Sequence, residues 1–471
     1  MAPGLGAKGK RRPTDPARLA AYNILHKAGA KNMKLERLLM DWSTRDNPNE
    51  RDRAFVSELV YGVTRWMRGL DSVIGSVSTR PPKEISRQTL TLLRLGAYQL
   101  MAMDRTPQHA AVNETVELAR ADPDTVKSAG FVNALLREII RRGLAGQAIP
   151  RVAERLRRTA APPHIRLGEK HSFPDWMTLR WVKRFGADGA DKLMETLNGR
   201  APVNFRVNTF KISPEDMERR FPEWSINAER LEFAPFTYRL IEGKITPGSQ
   251  VFTDGYLQPQ DAGSVLAASL IGAKPGETVA DFCCGVGVKS GAFAMDMNNR
   301  GKIFSVDNAP AKLFALRRNM RRLGVKICVP TAADISKQWP FKKRFAKIFI
   351  DAPCTGTGVL RRHPEGKWNT SVESVERMAT IQREILKNAA EALAPGGVLV
   401  YAVCSIEQEE GSDVVNALLA ARDDLKRSDI KTSHPKLARF LNADGDLFIM
   451  PGDEEMDGFY AARLEKKKRG A

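Results

Sequence analysis

From about residue 246 to the C-terminus, short β-branched runs alternate with helical stretches, a pattern that few folds satisfy. ETVADFCC, KIFSVDN, VKICVPTAAD, AKIFIDAPC and GVLVYAVCS have the composition of strands. KLFALRRNMRRLG and VERMATIQREILKNAAEALAPGG have that of helices. Such alternation predicts a mostly parallel, doubly wound α/β sheet of the Rossmann-like kind, which binds ligands at the carboxyl ends of its strands. The short motifs of this region all fall at those ends.

In VADFCCGVGVKSGAFA (Val279–Ala294) a strand ends near Asp281, a loop carries Gly285 and Gly287, and a helix begins near Lys289. Glycines let a ligand approach the backbone, and a helix start offers free N–H donors. The same spacing also suits a plain βα turn. A second strand ends at Asp307, 26 residues after Asp281, where a carboxylate reaches both ribose hydroxyls of a nucleoside. A third ends at Asp334, a position suited to the edge of an adenine ring. Either aspartate alone serves equally as a helix N-cap. Three acidic strand ends beside a glycine loop favour a cofactor pocket. S-adenosylmethionine (AdoMet) suits it better than NAD, because the loop is short and lacks GxGxxG. IDAPC and YAVCS place Cys354 and Cys404 just past two further strand ends. A lone cysteine is usually a small buried hydrophobe. Two at strand ends of one parallel sheet point to thiol chemistry at one pocket.

The preceding chain falls into blocks. Over residues 16–146, ARLAAYNILHKA, RAFVSELVYGVTRWM, LTLLRLGAYQLMAM, HAAVNETVELAR and FVNALLREIIRR read as amphipathic helices. Residues 147–170 read as a linker. Residues 171–247 read as a small α+β module, helical at first and then alternating. Its FRVNTF run puts Arg206 and Asn208 on one strand face, which either touches nucleic acid or is merely solvated. Residues 248–466 are the α/β domain, flanked by a disordered basic arm (1–15) and a basic tail (467–471). The 74 Lys+Arg against 55 Asp+Glu give a formal charge of +19, which favours a polyanionic partner. Five cysteines without CxxC spacing argue against a zinc site or a disulfide framework, so no metal is expected. Reduced thiols point to a cytoplasmic protein. No apolar run is long enough to span a membrane, and a monomer is expected.

DAPCTGTGVLRRHPEGKW, YAVCS and the DFCCGVGVKS loop resemble motifs of the RNA cytosine-C5 methyltransferases. ERDRAFVSELVYGVTRWMRGLD, LLRLGAYQLMAMDRTPQHAAVNETVELA and FVNALLR resemble the NusB-type RNA-binding domain. The two-part build is similar to the RsmB (Sun, Fmu) family of small-subunit ribosomal RNA methyltransferases, over nearly the whole chain apart from its tails. That resemblance implies a NusB-like helical domain, the α+β module and a Rossmann-like AdoMet-dependent methyltransferase domain. It implies that Cys283, Cys284, Gly285, Val286, Gly287, Val288 and Lys289 cradle the methionine part of AdoMet, Asp307 the ribose and Asp334 the adenine side. Asp351 would face the reacting centre, touching both cofactor and base. Cys404 would be the nucleophile that adds to cytosine C6, and Cys354 would assist product release. Arg361, Arg362, His363 and Lys367 would either lower the thiol pKa or hold RNA phosphates. Ribosomal RNA is the partner implied. Transfer RNA or another RNA is the near alternative, and a non-catalytic RNA-binding or assembly factor the more distant one. Val286 stands where the family has proline and Val288 where it has glycine. A β-branched residue restricts φ > 0, so altered loop geometry is expected.

Overall fold

The structure is a computed structural model that describes residues 14–31, 33–156, 161–337 and 344–468. The basic arm expected over 1–15 lies outside the described residues up to residue 13, and the tail expected over 467–471 does so from residue 469. Backbone contacts divide the chain into two units. Met1–Asn198 and His363–Asn369 form one, Gly199–Arg362 and Thr370–Ala471 the other. No helix among the described residues is long and apolar enough to cross a membrane.

The first unit is helical: α1 (Pro16–Lys31), α2 (Leu35–Asp46), α3 (Glu50–Arg65), α4 (Met67–Val77), α5 (Arg87–Ala102), α6 (Gln108–Ala121), α7 (Ala129–Arg141), α8 (Ile149–Leu156), α9 (Pro163–His171) and α10 (Asp175–Asn198). α5 is apolar on almost every side and is correspondingly central, with Leu92, Leu93, Leu95 and Ala97 fully buried. α3 and α5 start on side-chain caps: Asn49 accepts the Asp52 N–H and Ser86 the Thr89 N–H. Gly62 in α3 leaves room for the Tyr98 ring of α5, which a Cβ would meet at 2.0 Å. Two helices were not expected. α2 buries only Leu35, Leu38 and Trp42, and α4 is interrupted by Gly69 and Gly75. The stretch read as a linker holds α8 and α9. α10, read as the start of the small module, falls in the first unit, and Gly186 at φ 73° breaks it in two.

The second unit holds two sheets. β1 (Asn204–Val207), β2 (Asn227–Arg230), β3 (Thr237–Glu242) and β4 (Leu257–Pro259) form an antiparallel sheet in the order β2-β3-β1-β4. Phe205, Phe221 and Tyr238 pack together in its core. The larger sheet comprises β5 (Thr278–Phe282), β6 (Lys302–Asp307), β7 (Cys328–Ala332), β8 (Phe345–Asp351), β9 (Leu393–Val403), β10 (Leu425–Arg427), β11 (Leu447–Ile449) and β12 (Phe459–Lys466). Its order is β10-β12-β9-β8-β5-β6-β7, with β11 on β12. β5 to β9 pair in parallel, as the alternation predicts. β12 was not expected; it runs antiparallel between β9 and β10. β5 is flanked by β6 and β8, so the strand order reverses there, and a ligand crevice opens at such a switch point.

Candidate active site

β8 and β9 are parallel neighbours, with Asp351 opposite Ala402. The chain beyond each carries a cysteine, and the register brings the two thiols together: Cys354 Sγ lies 3.3 Å from Cys404 Sγ. The hydrogen bond to Cys404, burial, and the carboxylates of Glu410 and Asp351 all raise the Cys354 thiol well above its ordinary range. At the end of β8, Asp351 accepts a hydrogen bond from Lys289 Nζ at 2.6 Å. At the end of β5, Asp281 is fully buried, and burial pushes its pKa up to about 7. Its Oδ2 accepts from Ser290 Oγ at 2.5 Å, while Oδ1 has no partner among the described residues. Asp281, Lys289 and Asp351 line one cleft of about 460 Å³, together with Asn204, Gln260 and Arg362.

Between β5 and the helix Val288–Asp296 the chain turns through three left-handed residues, Cys283 (φ 58°), Gly285 (φ 57°) and Gly287 (φ 82°). A Cβ on Gly287 would strike Leu316 at 2.7 Å, whereas one on Gly285 would stand in open space. Val288 opens the helix, and neither Val286 nor Val288 has a positive φ. The restriction expected from these two valines does not arise, because the left-handed positions fall beside them. The non-glycine residue in a costly conformation is Cys283. Cys284, the next residue, is buried. Asp307 braces the loop, accepting the N–H of Gly285 at 3.0 Å and of Ala309 at 2.9 Å, with Lys312 Nζ at 3.4 Å. Asp334 lies two residues past Ala332, the β7 partner of Asp307. It accepts both the N–H and the hydroxyl of Ser336, which hold its carboxyl below the usual range. Asp307 and Asp334 thus stand together, outside the lining of the 460 Å³ cleft.

The basic residues expected to face RNA divide. Arg206 does share a face with Asn208, but that face is covered. Its guanidinium is 4% exposed and donates to Ala292 O and Asp296, both at 3.1 Å. Strand alternation marks a face without saying what packs on it. Arg361 is likewise buried, 2.5 Å from Asp457, whose other carboxylate oxygen accepts from Arg362. Lys367 is fully buried in the first unit, donating to Arg65 O, Ser172 O and Asn198 Oδ1, with burial pushing its pKa down. RNA contact by Arg206, Arg361 and Lys367 is corrected accordingly: their charges are spent inside the protein. Arg362 and His363 keep part of their surface exposed. Trp368 packs, its indole N–H donating to Thr64 O at 2.8 Å.

Two elements of the site went unread in the sequence. The buried Glu410 carboxylate accepts from the Thr355 N–H at 2.8 Å, the Thr355 hydroxyl, Ser405 Oγ at 2.5 Å and Gln382 Nε2 at 3.1 Å. Thr355 follows Cys354 and Ser405 follows Cys404, so one carboxylate fastens both thiol loops. Nothing in EQEEG separates Glu410 from Glu407 or Glu409. The Gly358 N–H donates to Cys404 O at 3.1 Å, and a Cβ on Gly358 would meet Gly458 O at 2.4 Å. Only a glycine permits that approach.

Residues 268–465 match the family model described as 16S rRNA methyltransferase RsmB/F, residues 15–141 that of the NusB family, and residues 173–243 that of an RsmF/B-like ferredoxin-like domain. The ribosomal RNA small subunit methyltransferase B of Thermus thermophilus is 35% identical over 91% of this chain and 93% of its own length. That of Vibrio cholerae is 32% identical over 88% and 90%. The crystal structure of the protein PH0851 superposes with a TM-score of 0.78 over 97% of this chain and 100% of that one, at 22% identity, a likeness of fold.

Proposed function

This chain belongs to the RsmB/F family of 16S ribosomal RNA methyltransferases, and we propose from that membership that it methylates C5 of a cytosine in small-subunit ribosomal RNA with AdoMet as donor. The observation that carries this reading is the pair of thiols 3.3 Å apart, beside the Lys289–Asp351 pair. Cytosine C5 is a weak nucleophile. Addition of the Cys404 sulfur to C6 makes it electron-rich, which is covalent catalysis by an activated cysteine. Once C5 is methylated, a base takes the C5 proton, the C–H electron pair re-forms the C5=C6 bond, and the C6–S bond breaks with its electron pair on the Cys404 sulfur. Cys354, held protonated, donates its S–H to the Cys404 sulfur and so assists that departure. Asp351, paired with Lys289, accepts from the N4 amino group of a cytosine that has left its stack, and would reach N3 as well only if protonated.

Bound AdoMet would supply the electrophilic methyl of its sulfonium. The residues present fit it. Open space over Gly285 admits a ligand against the loop from Cys283 to Lys289. The Asp307 carboxylate keeps lone pairs beyond its two backbone donors for ribose hydroxyls, and Asp334 would take the adenine side.

Trapping tests the assignment. Cys354→Ala accumulates a covalent protein–RNA adduct stable to denaturing electrophoresis, and Cys404→Ala forms none. The reverse pattern would make Cys354 the nucleophile. Mapping of 5-methylcytosine in ribosomal RNA with and without the protein identifies the target.

A further inference from the structure

The helix Pro310–Leu323 (PAKLFALRRNMRRL) leaves the carboxyl end of β6, beside Asp307. Its inner face is apolar, with Leu313, Leu316, Met320 and Leu323 buried. Arg322 also turns inward, donating to Phe252 O, Leu257 O and Gln258 Oε1. The outer face is different in kind. Phe314, Arg317, Arg318 and Arg321 recur at steps of three and four and so form one stripe, about 10 Å long at the helical rise. Phe314 is 63% exposed and the three arginines are exposed.

Some exposed helical arginines elsewhere in this chain sit on an acid one turn away. Arg141 and Arg142 share Glu138, Arg120 has Glu117 and Arg219 has Asp216. The helix Pro310–Leu323 has no acidic residue at all, and its three outward arginines have no partner among the described residues. Like charges three and four residues apart work against helix stability, so a stripe of this kind is relieved by a polyanion. The helix itself starts beside the site, through its other flank: Lys312 touches Asp307, and Asn319 Nδ2 donates to Val286 O in the glycine loop at 3.4 Å.

We propose that the Phe314–Arg317–Arg318–Arg321 face binds single-stranded RNA, with phosphates on the guanidinium groups and an unpaired base stacked on the Phe314 ring. Arginine forks suit phosphate oxygens, and a bare aromatic beside them suits a base that is not already stacked in a duplex. The inference rests on the RNA substrate proposed above and adds a surface to it.

The test is binding of the full chain to a labelled single-stranded oligonucleotide and to protein-free small-subunit ribosomal RNA, across a salt series, with thermal unfolding as the control for folding. Arg317→Ala/Arg318→Ala/Arg321→Ala lowers the slope of log affinity against log salt by about 2, since each phosphate contact on a single strand contributes about 0.7. Phe314→Ala weakens binding roughly tenfold with the slope unchanged, the signature of lost stacking rather than lost charge. Parent-like affinity and slope in the triple variant overturn the proposal. Unchanged binding to naked RNA, with methylation lost only on particles that carry ribosomal proteins, overturns it in favour of a protein partner. A parent chain that binds neither RNA overturns this proposal and the RNA substrate together.

Discussion

Arg361 and Arg362 follow the Cys354 loop, and Arg317 and Arg318 lie midway along the helix Pro310–Leu323. The first pair shares the carboxylate of Asp457, which is 1% exposed, and Arg362 also reaches Asp261 at 3.2 Å. The second pair points outward from a helix without a single acid. Both are Arg-Arg dipeptides within one α/β domain, yet one is part of the scaffold and the other part of the surface field. The formal charge of +19 therefore overstates what a polyanion meets, because part of it is neutralised inside. What matters for RNA is which arginines lack a carboxylate, not how many there are.

Removing the shared carboxylate is the harshest way to probe that contrast. Asp457→Ala takes a carboxylate from the buried Arg361 and one of two from Arg362, and urea unfolding shows a loss of about 3–5 kcal/mol. A variant that unfolds like the parent would erase the distinction between the two pairs. Glu410→Gln is milder. It keeps the shape but halves the acceptors offered to Thr355, Ser405 and Gln382, at about 1–3 kcal/mol. At a temperature where this variant is still fully folded, combining it with Cys354→Ala gives a lower yield of covalent RNA adduct than Cys354→Ala alone, because the two thiol loops are no longer fastened by one carboxylate. An equal yield would make Glu410 a purely structural residue. The smallest change comes from the outward stripe: each Arg→Ala at 317, 318 or 321 shifts stability by no more than about 0.5 kcal/mol. A larger loss would mean that these side chains have partners in the fold after all.

The same contrast explains what was legible in the sequence. Strand-helix alternation located the sheet, and a parallel sheet necessarily gathers its strand ends, so Asp281, Asp307, Asp351, Cys354 and Cys404 could be assembled from one line of text. The meeting of the two thiols follows from β8 and β9 being neighbours. What could not be read is what lies on top. Arg206 and Asn208 alternate as a solvated face would, yet they are covered by the helix Val288–Asp296 and the end of the helix Pro310–Leu323. Glu410 is one acid among several until the fold encloses it. Val286 and Val288 looked restrictive because the left-handed positions could not be assigned within the loop. β12 escaped because an antiparallel insertion breaks no local rule of the α/β pattern.

The seven residues His363–Asn369 give the helical unit a property that its own continuous stretch lacks. Lys367 and Trp368 supply the donors for the carbonyls of Thr64, Arg65 and Ser172. A truncation that stops at Asn198 keeps α1 to α10 and still leaves those acceptors facing an empty slot, at the cost of buried hydrogen bonds left unmade. Dissecting this protein at a single cut yields a wounded fragment rather than a domain. A faithful helical fragment has to carry a graft from the middle of the enzyme.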